Sequence, residues 1–167
     1  IIGASGTSVE IINTDDEGRL ILGDALWYAR QLGATHIVDI ATLTGAVLVA
    51  LGPATAGLFG NEPGIIDQVK AAGAAVDEPV WQLPLEKKYR KTLDSDIADI
   101  ANLGGPYAGS TTAALFLAEF VGEVPWAHVD IAGTMNVDAD ESWRSKGATG
   151  YGARLLAELA RDFTPKA

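Results

Sequence analysis

Residues Thr7 to Leu32 read TSVEIINTDDEGRLILGDALWYARQL. Thr7 to Ile12, β-branched and apolar, read as a strand. Asn13 to Gly18 are turn chemistry. From Arg19 to Leu32 the apolar residues Leu22, Ala25, Leu26, Ala29 and Leu32 recur at helical spacing, which predicts an amphipathic helix stopped by Gly33. A strand, a tight polar turn and a helix in this order are one unit of an α/β protein.

The pattern repeats along the chain. Strands are expected at Thr35–Ala41, Thr55–Phe59, Pro79–Leu83, Ser95–Ile100 and Trp126–Ala132. Helices are expected near Gly45–Leu51, from Pro63 to about Ala72, at Ser110–Val121 and at Thr149–Phe163, with a polar loop over Asn136–Gly147. The alternation predicts a three-layer α/β/α sandwich around a mixed, largely parallel sheet, with a site just beyond the strand ends. No internal repeat or low-complexity linker divides the 167 residues.

Composition narrows the function classes. Hydrophobic residues make up 48 % and charged residues 20 %, enough apolar material for a sizeable core. The net charge of -10 argues against a nucleic-acid backbone as ligand. The longest apolar run, Ala46–Leu51, falls far short of the ~20 residues a membrane helix needs. With no cysteine, disulfides and thiolate metal sites are excluded. No signal peptide is evident, and a cytoplasmic location is expected. Phosphate-loop, dinucleotide and HExxH signatures are missing, and Gly3-Ala4-Ser5-Gly6-Thr7 fails the nucleophile-elbow pattern at its fifth position. His36 and His128 each lie in an apolar strand, where a lone histidine is more often a core residue than a ligand.

Chemistry concentrates in Asn13-Thr14-Asp15-Asp16-Glu17-Gly18-Arg19-Leu20. Carboxylates opening a helix face the positive end of its dipole, which favours negative charge there. Asp15 and Glu17 are two apart, so in extended backbone both point to one side and Asp16 to the other. Such a pair suits a divalent ion, and Arg19 suits an anion beside it. The same residues also suit an acidic turn with an N-cap, and spacing alone does not decide between the two.

The octapeptide NTDDEGRL resembles the signature of the leucyl aminopeptidase (M17 peptidase) family, usually NTDAEGRL. Further segments resemble that family in the same order: Asp39–Ala46 (DIATLTGA), Ala56–Phe59, Ser95–Asp99, Trp126–Gly133 (WAHVDIAG) and Gly147–Gly150. The resemblance implies a dinuclear metalloaminopeptidase with two divalent ions (manganese, zinc or magnesium), acting on peptides with leucine-like N-termini. By position it implies Asp15 and Glu17 as metal ligands and Arg19 as the catalytic arginine, holding a bicarbonate that relays a proton. It implies Thr42, Leu43 and Gly45 on the loop lining the substrate, and Ala132 and Met135 on the side-chain pocket. It further implies a cytoplasmic hexamer. In the family the other metal ligands, a lysine and two aspartates, and a second, catalytic lysine come from upstream segments. These 167 residues are therefore expected to be the C-terminal portion of the catalytic domain, with half a metal site and no activity alone. The alternative is a non-catalytic relative serving as a binding or assembly module. Asp16 departs from the family's alanine.

Overall fold

A computed structural model describes residues 1–165. Its strands are β1 (Val9–Glu10), β2 (Ile37–Ala41), β3 (Ala56–Gly60), β4 (Val80–Gln82), β5 (Ile100–Ala101), β6 (Trp126–Asp130), β7 (Asn136–Val137) and β8 (Gly147–Ala148). Its α-helices are α1 (Glu17–Gln31), α2 (Gly45–Leu51), α3 (Pro63–Ala75), α4 (Gly109–Val121) and α5 (Ala153–Asp162). Short 3-10 segments at Thr14–Asp16 and Lys87–Leu93 complete it.

The central sheet has the order β2-β6-β3-β4. β2 runs parallel to β6, and β3 parallel to β4, while β3 and β6 are antiparallel. β1 and β5 form a separate parallel pair, and β7 and β8 a small antiparallel one. α1 packs on α4 over one face of the central sheet, and α3 on α5 over the other. Alternation along the strands feeds both layers. In β6, Trp126 enters the core under α1 and α4, whereas Ala127 and Val129 enter the core under α3 and α5. β3 splits likewise, Phe59 to the first core and Leu58 to the second. The three-layer α/β/α architecture with a mixed, largely parallel sheet is thus present.

Several expected boundaries differ, and the loop expected over Asn136–Gly147 begins and ends in the antiparallel pair β7–β8. Ser95–Ile100 is not a strand: only Ile100–Ala101 pairs, with Val9–Glu10. The Ser95 hydroxyl accepts from the Ile97 and Ala98 amides, closing a local turn in place of a ladder, and Ile97 is left exposed. The expected strand Thr7–Ile12 shortens to Val9–Glu10. The last helix starts at Ala153 rather than Thr149, because Gly150 and Gly152 take left-handed backbone (φ 68° and 93°) that helix does not use. The buried Glu78 caps it from outside, accepting from the Gly152 and Leu155 amides at 3.0 and 2.9 Å.

Because β2 and β6 are parallel, their last residues, Ala41 and Asp130, are register partners. The loops that follow them therefore leave the sheet side by side, at the strand ends where α/β sites form. No helix among the described residues is long and apolar enough to cross a membrane.

Candidate functional site

The octapeptide folds as a capped turn. Asn13 has extended backbone, and its side-chain oxygen accepts from the Asp15 amide at 3.1 Å. Thr14–Asp16 form one 3-10 turn, and α1 begins at Glu17. The backbone here is therefore not extended, and strand alternation does not govern Asp15 and Glu17. Both are nonetheless exposed at the opening of α1. Asp16 turns inward instead, since on helical backbone it shares a face with Arg19 three residues on. Its Oδ1 lies 2.8 Å from Arg19 Nη2, and its Oδ2 accepts from Asn13 Nδ2 at 2.9 Å.

Arg19 is 3 % exposed. Its Nη1 donates to the backbone carbonyl of Asn102, just past β5. Asn102, fully buried, clamps the octapeptide in turn. Its Oδ1 accepts from the Ile12 and Asn13 amides at 2.9 and 3.3 Å, and its Nδ2 donates to the Asn13 carbonyl at 2.6 Å. Burial is the largest influence on the guanidinium and lowers its pKa; the charges of Asp16 and then Asp130 oppose this.

The second part of the site hangs on Asp130, 1 % exposed at the end of β6. Asp130 Oδ1 accepts from the amides of Leu43 (3.1 Å), Thr44 (3.4 Å) and Ala132 (3.2 Å). Its Oδ2 accepts from Thr44 Oγ1 at 2.6 Å. One carboxylate thus holds both loops, the one with Thr42, Leu43 and Gly45 and the one with Ala132 and Met135. The loop after β6 also packs against the far end of α2: a Cβ on Gly133 would overlap the carbonyl oxygen of Gly52, the residue after α2. The octapeptide approaches the loop after β2, since a Cβ on Gly18 would lie 3.9 Å from Leu43 Cδ1. Thr42, Gly45 and Met135 are exposed, and Leu43 and Ala132 are half-buried.

Sequence reasoning missed Asn102, Thr44 and Asp130. Only Asp130 carried a signal, a charge inside an otherwise apolar strand, which must find partners if buried. His128 is buried, lies against Phe59 and Trp126, and bonds Asp39 through Nδ1 at 2.6 Å, as a core histidine does. His36 is half-buried with its edge against Phe163.

For a metal, the exposed Asp15 and Glu17 carboxylates offer the right donor chemistry, hard oxygen, in part of the number required. No group of three or more His, Asp or Glu side chains able to hold an ion occurs among the described residues.

The family model for the catalytic domain of cytosol aminopeptidases matches residues 1–157. Among similar proteins, the "probable cytosol aminopeptidase" of Solibacter usitatus is 53 % identical over 163 residues, 98 % of this chain and 34 % of the relative. The proteins so described in Acidobacterium capsulatum and Geobacter sulfurreducens are 51 % and 52 % identical over 97 % and 94 % of this chain, each alignment covering 32 % of the relative. The chain spans about a third of the length of the curated relatives it matches.

Proposed function

The chain belongs to the cytosol aminopeptidase family, and from that premise we propose that it is the C-terminal part of the catalytic domain of a metal-dependent aminopeptidase releasing leucine-like N-terminal residues from peptides. One observation carries the proposal: the octapeptide, the loop after β2 and the loop after β6 meet at the carboxyl ends of two parallel strands. Peptides are then the substrates. Further copies of the chain are the partners, in a hexamer as in the resembled family, and the cytoplasm is the location.

Asp15 and Glu17 would hold divalent ions, manganese, zinc or magnesium, through their carboxylate oxygens. Two such ions, when bound, acidify a water, polarise the peptide carbonyl and stabilise the charge that develops on it. Arg19, two residues past Glu17, would order the turn that carries the two ligands, its terminal nitrogens held by Asp16 and Asn102. Asp130 fixes the loops that would receive the substrate. The walls offered by Thr42, Leu43, Gly45, Ala132 and Met135 carry no charge. A free aspartate or lysine side chain would be desolvated there without a partner, whereas leucine and methionine would not. Met135 adapts its shape to the side chain it meets.

Two carboxylates do not complete a dinuclear ligand set, so residues 1–167 alone are expected to hydrolyse leucine p-nitroanilide at no useful rate. The test is the full-length protein on the same substrate. Release that stops on chelation and returns with manganese or zinc is the expected result. A folded, metal-loaded, full-length protein that releases no N-terminal residue would leave a binding or assembly module instead.

A further inference from the structure

Arg19 is a cation withdrawn from water and already neutralised. Of its nitrogens, Nη2 faces Asp16 at 2.8 Å and Nη1 faces the Asn102 carbonyl. The third nitrogen, Nε, is enclosed and has no partner. Asp16 is fixed at both oxygens, Oδ1 on Arg19 and Oδ2 on Asn13 Nδ2, and its side chain is 11 % exposed. Asn13 is in turn clamped by Asn102. The ion pair is thus anchored at each end.

The bicarbonate that the resemblance implies for Arg19 does not fit this arrangement. Each terminal nitrogen already has a partner, Nε has no opening to solvent, and the whole residue is only 3 % exposed. A dissolved anion would have to displace a carboxylate that is part of the same turn. Such an intramolecular partner competes at a high effective concentration. It would also meet the Asp16 carboxylate, a like charge already paired with the one arginine, which raises the energy of a second anion further.

We propose that Asp16 is the resident anion of Arg19, standing where a dissociable bicarbonate would sit if residue 16 were alanine, so that this protein needs no exchangeable anion. Asp16 is a positioning residue: it touches the guanidinium and acts through it. That Arg19 belongs to a peptidase site rests on the function proposed above, whereas the anion chemistry rests on the ion pair alone.

The experiment is calorimetric titration of the full-length protein with bicarbonate at fixed pH and ionic strength, with turnover of leucine p-nitroanilide measured in parallel. The wild type should show no saturable bicarbonate binding and no dependence of turnover on it. Asp16→Ala should acquire saturable binding, and turnover that rises with bicarbonate along the same saturation curve. Asp16→Asn, which keeps the shape without the charge, should also gain binding, and serves if the alanine variant does not fold. Saturable binding by the wild type matching that of the variants overturns the proposal, as do folded variants that bind none. Should neither variant fold, the wild-type titration decides by itself. Should the full-length protein cleave no peptide, the calorimetry still judges the role of Asp16 while the proposed function fails separately.

Discussion

Thr44 Oγ1 donates to Asp130 Oδ2 across 2.6 Å and accepts from the Val47 amide at 3.3 Å, so the residue that caps α2 is also the residue that ties α2 to the end of β6. The Thr44 hydroxyl is further linked to Ser110 Oγ, at the start of α4, across 3.0 Å. Three elements thus converge on one buried carboxylate, and the geometry of the proposed substrate walls depends on it.

Asp130→Ala leaves three amides and a hydroxyl without their acceptor in a buried place. A buried donor left unsatisfied costs about 1–3 kcal/mol, so a loss of at least ~3 kcal/mol is expected. Asp130→Asn, which keeps one acceptor oxygen, should lose less. Urea unfolding of the two variants measures both. A loss below about 1 kcal/mol for the alanine variant, beneath the cost of a single orphaned donor, would show that Asp130 does not organise the loops.

The Arg19–Asp16 pair is largely withdrawn from solvent, with side chains 4 % and 11 % exposed. Removing one partner strands a charge, which typically costs ~3–5 kcal/mol. Arg19→Ala should therefore lose stability on this scale, and the double variant Arg19→Ala, Asp16→Ala should recover part of it. Chemical denaturation of the single and double variants checks this. A double variant no more stable than Arg19→Ala alone would rule out the pair as the source of the loss.

Tyr151 gives a pH-dependent signature. Its hydroxyl donates to the Pro79 carbonyl, and burial, the first cause, pushes its pKa up to about 12. The neutral form is favoured in the folded state. The resulting stability is whole below the ordinary tyrosine value near 10 and is lost as pH rises toward about 12. Ultraviolet titration should show a late phenolate step that disappears in Tyr151→Phe. Full ionisation of all four tyrosines by about pH 11, below the folded-state value, would contradict the packing around Tyr151.

Specificity is expected to respond to Met135. The residue is 45 % exposed, and its backbone is pinned by bonds from its amide to Ile131 and from the Thr149 amide to its carbonyl. Its side chain is free to meet a substrate while the loop holds still. In the full-length protein Met135→Ala should shift kcat/KM toward phenylalanine over leucine by tens-fold at most, since one side chain in an apolar pocket is worth ~1–3 kcal/mol. An unchanged ratio would place the pocket elsewhere.

The sequence made the layers legible because their period is unambiguous. Ser110–Val121 has apolar residues nearly all round, and α4 is indeed buried along most of its length. The strand expected at Ser95–Ile100 failed because polar-apolar alternation does not register that a serine hydroxyl can serve the next amides. The contacts that support the candidate site left no trace in the sequence pattern. Asn102 reaches Asn13 across 89 positions and Asp130 reaches Leu43 across 87, and no local pattern encodes such contacts. Asp16 does turn away from Asp15 and Glu17, but not by strand alternation: the turn is a 3-10 helix leading into α1, in which residues three apart share a face.

The central claim is that Asp15 and Glu17 hold the metal of an aminopeptidase, and metal content measured beside turnover in full-length variants tests it most directly. Asp15→Asn and Glu17→Gln, both at exposed positions, should fold as the wild type does, retain less manganese or zinc after dialysis, and release leucine from its p-nitroanilide at a rate reduced at least ~10²-fold, given that a bound ion contributes several kcal/mol to the transition state. Variants that keep wild-type metal content and wild-type turnover would contradict it.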